Sequence, residues 1–106
     1  MARLELVRND YGYPLTFTIK DSQENLVDLT NATVTLKVKK SGQTGLTIDA
    51  ECTVDPDPTT GVCTYIVQDE DFDTVGRYVG ELEIEWTGGK VMTATDLNID
   101  IVPDLS

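Results

Sequence analysis

Apolar and polar residues alternate along most of this chain, and the alternation is clearest in the stretch GELEIEWTGGK (residues 80–90). Three glutamates alternate there with Leu82, Ile84 and Trp86 before a turn. Successive side chains of a β-strand point to opposite faces, whereas a helix would scatter these glutamates around its axis. The pattern therefore predicts a strand with one buried face and one face in water.

The same period-two pattern recurs between short stretches of Gly, Pro, Asn and Asp, which are residues typical of turns. It predicts extended segments at residues 4–8, 15–20, 26–29, 33–39, 48–54, 62–67, 77–86 and 90–101. Residues 69–74 are predicted to form either a single helical turn, which Asp69 could cap, or an acidic loop. No repeat or interdomain linker interrupts the pattern, so we expect one all-β domain over residues 1–106, a two-sheet antiparallel sandwich.

The inward-facing apolar positions of these segments give the predicted core. Its members are Leu15, Phe17, Ile19, Leu29, Val34, Leu36, Val38, Ile48, Tyr65, Tyr78, Leu82, Ile84, Trp86, Leu97 and Ile99.

The last two segments form a hairpin whose register follows from its turn. A two-residue Gly88-Gly89 turn of the primed type suits the positive φ that glycine adopts cheaply. This turn predicts four inward-facing pairs, namely Trp86 with Val91, Ile84 with Thr93, Leu82 with Thr95, and Gly80 with Leu97. Met92, Ala94 and Asp96 would then lie on the outer face, with Asp96 opposite Glu81.

Composition narrows the function classes. Nineteen acidic residues against eight basic ones give a net charge of −11, which argues against DNA, RNA or an anionic membrane as partner. The chain has no histidine, so the commonest general base and the commonest zinc ligand are both missing. An enzyme with this composition would depend on carboxylates, Lys, Tyr or Cys alone. We therefore expect no enzymatic activity, and we predict no cofactor.

The start of the chain shows no apolar segment of a secretory signal, and no stretch approaches the length of a membrane helix. We therefore expect synthesis in a cytoplasm, without secretion by a signal peptide and without membrane insertion. Cys52 and Cys63 face each other across the turn of residues 55–61. This pattern is compatible with a cross-strand disulfide and with two buried free thiols that act as small hydrophobes, and a cytoplasmic protein favours the free thiols.

Two acidic groups have the composition of a catalytic or metal site. The glutamate row 81, 83 and 85 spaces its carboxylates by about 7 Å, comparable to acid–base pairs of glycosidases. On a flat, solvated face we expect instead a surface ladder paired with Lys37 and Lys39. The cluster Asp69, Glu70, Asp71 and Asp73, with Asp55 and Asp57, has some character of a calcium loop, but lacks the spacing of an EF-hand. We interpret it as capped turns and solvated loop, with no metal site.

Three stretches combine turn and core residues in a recognisable order: PLTFTIKDSQENLVDLTNATVTLKVKK (14–40), DPTTGVCTYIV (57–67) and DTVGRYVGELEIEW (73–86). They resemble the N-terminal immunoglobulin-like domain of phage baseplate upper proteins, found in tailed phages and prophages. The matching positions are Val27, Asp28, Leu29, Thr30, Ala32, Thr33 and Val34, then Thr60, Gly61 and Tyr65, then Gly76, Tyr78 and Glu81.

The resemblance implies an immunoglobulin-like antiparallel β-sandwich of about seven to nine strands. It also implies a structural role in the virion, with other phage structural proteins as partners and a homo-oligomer as a further expectation, and it implies no catalytic residues. The alternatives are a glycan-binding or adhesion module that uses loop tyrosines, acidic residues and calcium, and a hydrolase that uses carboxylates alone.

An assembly module needs a docking surface, and the first and last strands are the predicted edges, since edges carry unpaired backbone groups. Tyr11 and Tyr13 lie in a loop that could offer an aromatic contact, since tyrosine is enriched at interfaces. The commoner interpretation of such a stretch is a strand-connecting loop that packs one ring down. The candidate interface residues are Leu4, Leu6, Tyr11, Tyr13, Leu97 and Ile99.

Overall fold

The computed structural model describes residues 2–103, apart from the side chains of Ala2, Arg3, Thr95 and Asp96. Within these residues eight strands form two sheets that enclose one apolar core. The strands are β1 (Ala2–Val7), β2 (Pro14–Thr18), β3 (Ala32–Lys40), β4 (Ile48–Glu51), β5 (Thr53–Val54), β6 (Val62–Ile66), β7 (Gly76–Trp86) and β8 (Val91–Val102), with a 3₁₀ turn at Pro58–Thr60.

One sheet has five strands in the order β1-β8-β7-β3-β4, and the other has three in the order β2-β6-β5. Neighbouring strands run antiparallel, with the exception of β1, which pairs in parallel with β8 from Ala2↔Leu97 to Val7↔Val102. The predicted all-β, immunoglobulin-like sandwich of seven to nine strands is confirmed. The parallel pairing of β1 is a feature that alternation alone does not indicate.

A hydrogen bond at the start of β7 is characteristic of this architecture. Tyr78 is 2% exposed, and its hydroxyl donates to the carbonyl of Thr74 at 2.9 Å. Such a bond from a buried tyrosine to the backbone just upstream is the tyrosine corner of immunoglobulin-like sandwiches. Phe72 packs edge-on against the Tyr78 ring, with centroids 5.4 Å apart. Residues 69–74 therefore form a turn held by an aromatic pair, without the helical turn that Asp69 was predicted to cap.

The core confirms most of the predicted positions. Every predicted member is buried except Trp86, which is half-buried at the end of β7. Six further buried residues lie outside the predicted core list: Cys52, Cys63, Val67, Phe72, Ala94 and Ile101. Of these, the burial of the two cysteines was expected separately, as free thiols.

The predicted single strand at 48–54 is wrong, because β4 and β5 belong to different sheets. β4 pairs with β3, whereas β5 pairs with β6. The chain crosses between the sheets at Cys52, whose N–H donates to the carbonyl of Val34 at 2.7 Å. Alternation runs unbroken through the crossing because both strands turn the same face toward one core. Residues 26–29 also form no strand; Lys20 and Leu26 make an isolated bridge.

The hairpin register is confirmed in one half and wrong in the other. Gly80 lies opposite Leu97 as predicted, but Leu82 lies opposite Ala94 and Ile84 opposite Met92. The turn has three residues, 87–89, since the Trp86 N–H donates to the Lys90 carbonyl and Gly89 adopts φ 93°.

A register shift between Gly80 and Leu82 compensates for the longer turn. Between these positions β8 supplies one residue more than β7, as in a β-bulge. Ala94 consequently faces the core and Thr93 faces solvent, the reverse of the prediction. The predicted neighbour of Glu81, the Asp96 side chain, lies outside the described residues.

Candidate interaction surfaces

The glutamate row lies on the outer face of β7 as a surface charge ladder. Lys37 Nζ on β3 lies 3.3 Å from Glu83 Oε2, and both side chains are about one-third exposed. Lys39 lies opposite Val79, so only one of the two predicted lysines forms the ladder. An ion pair at this exposure contributes roughly 0–1 kcal/mol to stability. Glu85 is exposed and Glu81 and Glu83 are only half-buried, so the row lacks the deep burial that tunes a catalytic carboxylate.

Aspartates of the acidic cluster serve as turn braces. Asp57 Oδ1 accepts hydrogen bonds from the N–H and hydroxyl of Thr59, and it caps the 3₁₀ turn that Pro58 begins. Asp55 Oδ1 accepts from the N–H of Asp57 at 2.9 Å. The turn ends at Gly61 with φ 71°, where an added Cβ would lie 2.8 Å from the Ile19 carbonyl oxygen. No three potential ligands for a metal converge within the described part of the chain.

Asp71 braces the other acidic turn, in the role that the sequence suggested for Asp69. Its Oδ2 accepts from the N–H of Gln68 at 2.8 Å and from the hydroxyl of Tyr65. Burial, together with this bond to Asp71, raises the pKa of the Tyr65 hydroxyl. The aspartate thus links a core tyrosine on β6 to the loop that precedes β7.

Cys52 and Cys63 are both buried free thiols, in agreement with the favoured interpretation. In the β5–β6 register Cys63 lies opposite Val54, so the two cysteines are diagonal neighbours. The hydrogen bond between the thiols and their burial raise the pKa of Cys52. A thiol held neutral in this way is a packing group and a poor nucleophile.

The candidate interface residues occupy three different environments. Leu97 and Ile99 are buried, at 1% and 0% exposure, and β8 lies between β1 and β7. The expectation that the last strand is an edge is therefore wrong. Tyr11 is 59% exposed beside Tyr13, which is half-buried. Burial, with smaller contributions from Asp10 and Asp71, raises the pKa of Tyr13.

The first strand does lie at an edge of the five-stranded sheet. Leu4 and Leu6 are half-buried and pack against the core. The N–H of Arg8 donates to the Val102 carbonyl at 2.9 Å, so this residue points its backbone toward β8. Backbone groups alternate along a strand, and those of Glu5 and Val7 therefore point away from β8. The Val7 carbonyl accepts from the Asp10 N–H at 3.3 Å, so the Val7 N–H and the backbone groups of Glu5 are the template that this side of β1 offers to another strand.

Two surface hollows were not predicted. One, of about 490 Å³, lies over the charge ladder and is bordered by Lys37, Lys39, Leu46, Val79 and Glu81, among others. The second, of about 510 Å³, lies beside the β7–β8 turn and is lined by Asp21, Leu26, Val27, Asp28, Trp86, Lys90 and Met92. In this second hollow the Lys90 ammonium stands 5.0 Å from the centre of the Trp86 ring, and the indole N–H donates to the Asp28 carbonyl at 3.2 Å.

A signal for the second hollow was present in the sequence. The chain's single tryptophan precedes a Gly-Gly turn that is followed by Lys90. Two turn motifs precede β3: an Asp-x-x-x-Asn motif that begins at Asp21 and an Asp-x-Thr motif that begins at Asp28. The parity of Trp86 along the strand matches that of Leu82 and Ile84, so alternation places it in the core. The loop of residues 21–31 that borders it could not be placed by periodicity.

The family model described as the BppU N-terminal domain matches residues 8–106, nearly the whole chain. The chain belongs to the BppU N-terminal domain family. BppU is the phage baseplate upper protein, so the recognised resemblance is confirmed. A BppU domain is a structural component of the phage baseplate and hence of the virion.

Other comparisons add little to the BppU assignment. A solved structure of Drosophila OTK, extracellular domains 3–5, is similar to this chain at 13% identity with a TM-score of 0.41; the match covers 100% of this chain and 34% of that one. The chain thus spans about a third of that structure's length. No curated protein matches the chain. Within residues 2–103 no helix is long and apolar enough to cross a membrane.

Proposed function

We propose that this BppU-family chain is an assembly module of a phage or prophage particle, acts through protein–protein contacts, and has no enzymatic activity. The family match over residues 8–106 is the observation that carries the proposal. Two structural features support it: most acidic clusters serve turns or a solvated ladder, and one sheet edge offers backbone groups to a partner.

We further propose that a partner strand, from another subunit or from another baseplate protein, adds to the free side of β1. Leu4 and Leu6 anchor β1 to the core, which holds its outer backbone groups in an extended geometry. Main-chain hydrogen bonds then supply affinity, as in other cases of strand addition. Tyr11, exposed in the loop that follows β1, is a further candidate contact.

The particle provides the direct test of the structural role. Deletion of the coding sequence is expected to give particles without a complete baseplate by electron microscopy, and the wild-type chain supplied in trans should restore it. Mass spectrometry of purified particles should find the chain. Normal baseplates after deletion would contradict the proposal.

The strand-addition mode has its own test. Val7→Pro removes an N–H that points away from β8, so the domain should stay folded while a partner strand loses a hydrogen bond. Val7→Ala keeps the N–H and serves as the matched control. We expect Val7→Pro, and not Val7→Ala, to lower the solution mass by light scattering or to fail in restoring baseplates. A folded Val7→Pro chain that matches wild type in both assays would rule out this edge.

The exposure of Tyr11 also favours a second candidate, a glycan-binding or adhesion module. Such a module would shift its melting temperature or its tyrosine fluorescence on addition of an oligosaccharide, with or without calcium. Absence of any shift with cell-surface oligosaccharides of the host would leave the assembly role alone.

A further inference from the structure

The hollow beside the β7–β8 turn combines an aromatic face with fixed negative charge. Trp86 is half-buried at its base, and Leu26, 52% exposed, gives it an apolar wall together with Met92. Asp21 and Asp28 border the same space. An aromatic face beside carboxylates in a partly apolar wall is an environment that attracts an organic cation.

The protein already places a cation on this aromatic face. Lys90 Nζ lies 5.0 Å from the centroid of the Trp86 ring, within the range of a cation–π interaction. Lys90 is itself exposed, so its ammonium keeps most of its water and holds the ring only weakly. Among the described residues, the contact of the Lys90 ammonium is with the ring alone. A partner's cation that bound both the ring and the carboxylates would therefore displace it.

The two carboxylates are held in position by their own turns. Asp28 Oδ1 accepts from the N–H and hydroxyl of Thr30, at 2.9 and 2.6 Å, and these bonds keep its pKa below the usual range. Asp21 Oδ1 accepts from the N–H of Gln23 and of Asn25, each at 2.9 Å. In each case the bonds described engage Oδ1 and leave Oδ2 to an incoming donor. Both groups are thus pre-organised acceptors.

The charge of the whole chain favours the same class of partner. At −11 the domain attracts a basic surface and repels an acidic one, which steers a basic partner toward it. Arginine fits this hollow better than lysine, because its planar guanidinium stacks on an indole and donates several hydrogen bonds in one plane.

We propose that this hollow binds an arginine side chain of a partner protein, which stacks on Trp86, donates to Asp21 and Asp28, and displaces Lys90. This inference rests on the proposed function, because it gives an assembly module a second contact in addition to the free side of β1. The hollow lies at the end of β7, whereas β1 pairs with the part of β8 that lies beside the start of β7. A second copy of this acidic chain is the disfavoured occupant, since two copies at −11 repel each other.

The test uses the indole N–H of the protein's only tryptophan as a local probe by two-dimensional NMR. A blocked Gly-Arg-Gly peptide is titrated into the whole chain, and the matched peptide carries citrulline, which has the same shape without the charge. We expect a saturable shift of the Trp86 indole peak with the arginine peptide, weakened by salt, and no saturable shift with citrulline.

Variants separate the hollow from general charge attraction. Lys90→Ala should tighten binding of the arginine peptide about two- to fivefold by removing the internal competitor. Lys39→Ala removes the same charge on the outer face of the sheet and serves as the control, with a smaller effect. Asp28→Asn preserves the turn acceptor but should weaken binding, whereas Asp69→Asn on the exposed acidic loop should not.

Three outcomes would overturn the inference: equal shifts with arginine and citrulline, equal effects of Lys90→Ala and Lys39→Ala, or a response to oligosaccharides with none to arginine. Failure of the hollow is distinguishable from failure of the assembly role. If arginine does not bind but deletion still removes the baseplate, only the hollow is wrong. If arginine binds but particles form normally without the chain, the proposed function is wrong.

Discussion

Tyr78 and Trp86 lie on the same face of β7, eight residues apart, but their environments differ. Tyr78 is 2% exposed, its ring meets Phe72, and its hydroxyl bonds to the backbone. Trp86 is half-buried, borders an open hollow, and carries a lysine over its ring. One end of the sandwich is closed by its aromatic residues, whereas at the other end an aromatic face remains accessible. Two aromatic residues on the same face of one strand can therefore differ in role: one stabilises the fold, and the other is accessible for binding.

The largest expected difference between the two ends comes from Phe72. Phe72→Ala should lower the free energy of unfolding by about 3–5 kcal/mol, since the ring is 2% exposed and its loss leaves a cavity beside Tyr78. Urea unfolding followed by circular dichroism measures the change. A loss below about 1 kcal/mol would show that the loop can collapse and that the closed end is not rigid.

Tyr65→Phe should cost less, about 1.5–3 kcal/mol, because it removes a hydroxyl that donates to the Asp71 carboxylate and keeps the ring. Tyr11→Phe, at an exposed position, is the matched control and should change stability by no more than about 0.5 kcal/mol. Equal losses of stability in Tyr65→Phe and Tyr11→Phe would show that the hydrogen bond from Tyr65 to Asp71 does not stabilise the fold.

The same hydroxyls predict a pH dependence at the closed end. Burial raises the pKa of Tyr65 and of Tyr78 above the ordinary value near 10. The folded state then binds these protons more tightly than the unfolded chain does, so their contribution is complete below about pH 10 and is lost as pH rises through the folded pKa values. The melting temperature should fall above pH 10, and less steeply in Tyr65→Phe. An unchanged slope in that variant would contradict the assignment.

At the open end Trp86→Phe should lower the free energy of unfolding by only about 1 kcal/mol, the loss of one exposed hydrogen bond to the Asp28 carbonyl. The same variant should bind the arginine peptide more weakly, since a phenyl face attracts cations less than an indole does. Chemical denaturation and a titration of the peptide measure the two effects. A loss as large as that of Phe72→Ala would mean that Trp86 is a core residue after all.

The smallest effect is expected on the outer face, away from both ends. Lys37→Ala should change stability by about 0–1 kcal/mol, because its ion pair with Glu83 is partly exposed. The effect should shrink further in 1 M salt. A salt-independent loss above about 2 kcal/mol would indicate a buried network in place of a solvated ladder.

Alternation predicted the two sheets and nearly all of the core because buried and exposed faces repeat every second residue. It failed where the backbone departed from that period without changing the pattern. The alternation of residues 48–54 continues through the crossing at Cys52. The sequence therefore predicted one strand where the structure has two, in different sheets. The three-residue turn at 87–89 and the compensating shift near Gly80 left the far half of the hairpin register right and the near half wrong.

Alternation could not predict the hollow at Trp86, for a different reason. Its wall comes from a loop without periodicity, and its carboxylates are placed by local hydrogen bonds of Asp21 and Asp28. The edge status of β1 also depends on a parallel pairing between segments more than ninety residues apart, which one sequence does not disclose.

The parallel pairing of β1 with β8 also has a mechanical consequence. The two strands lie in register over six residues, from Ala2↔Leu97 to Val7↔Val102. A load that pulls these strands along their own axes in opposite directions would stretch the hydrogen bonds between them together, in shear. They would share the force, whereas a hairpin pulled at its open end breaks one bond at a time. The β1–β8 pairing should therefore resist a load in this direction better than the β7–β8 hairpin resists one applied at its open end.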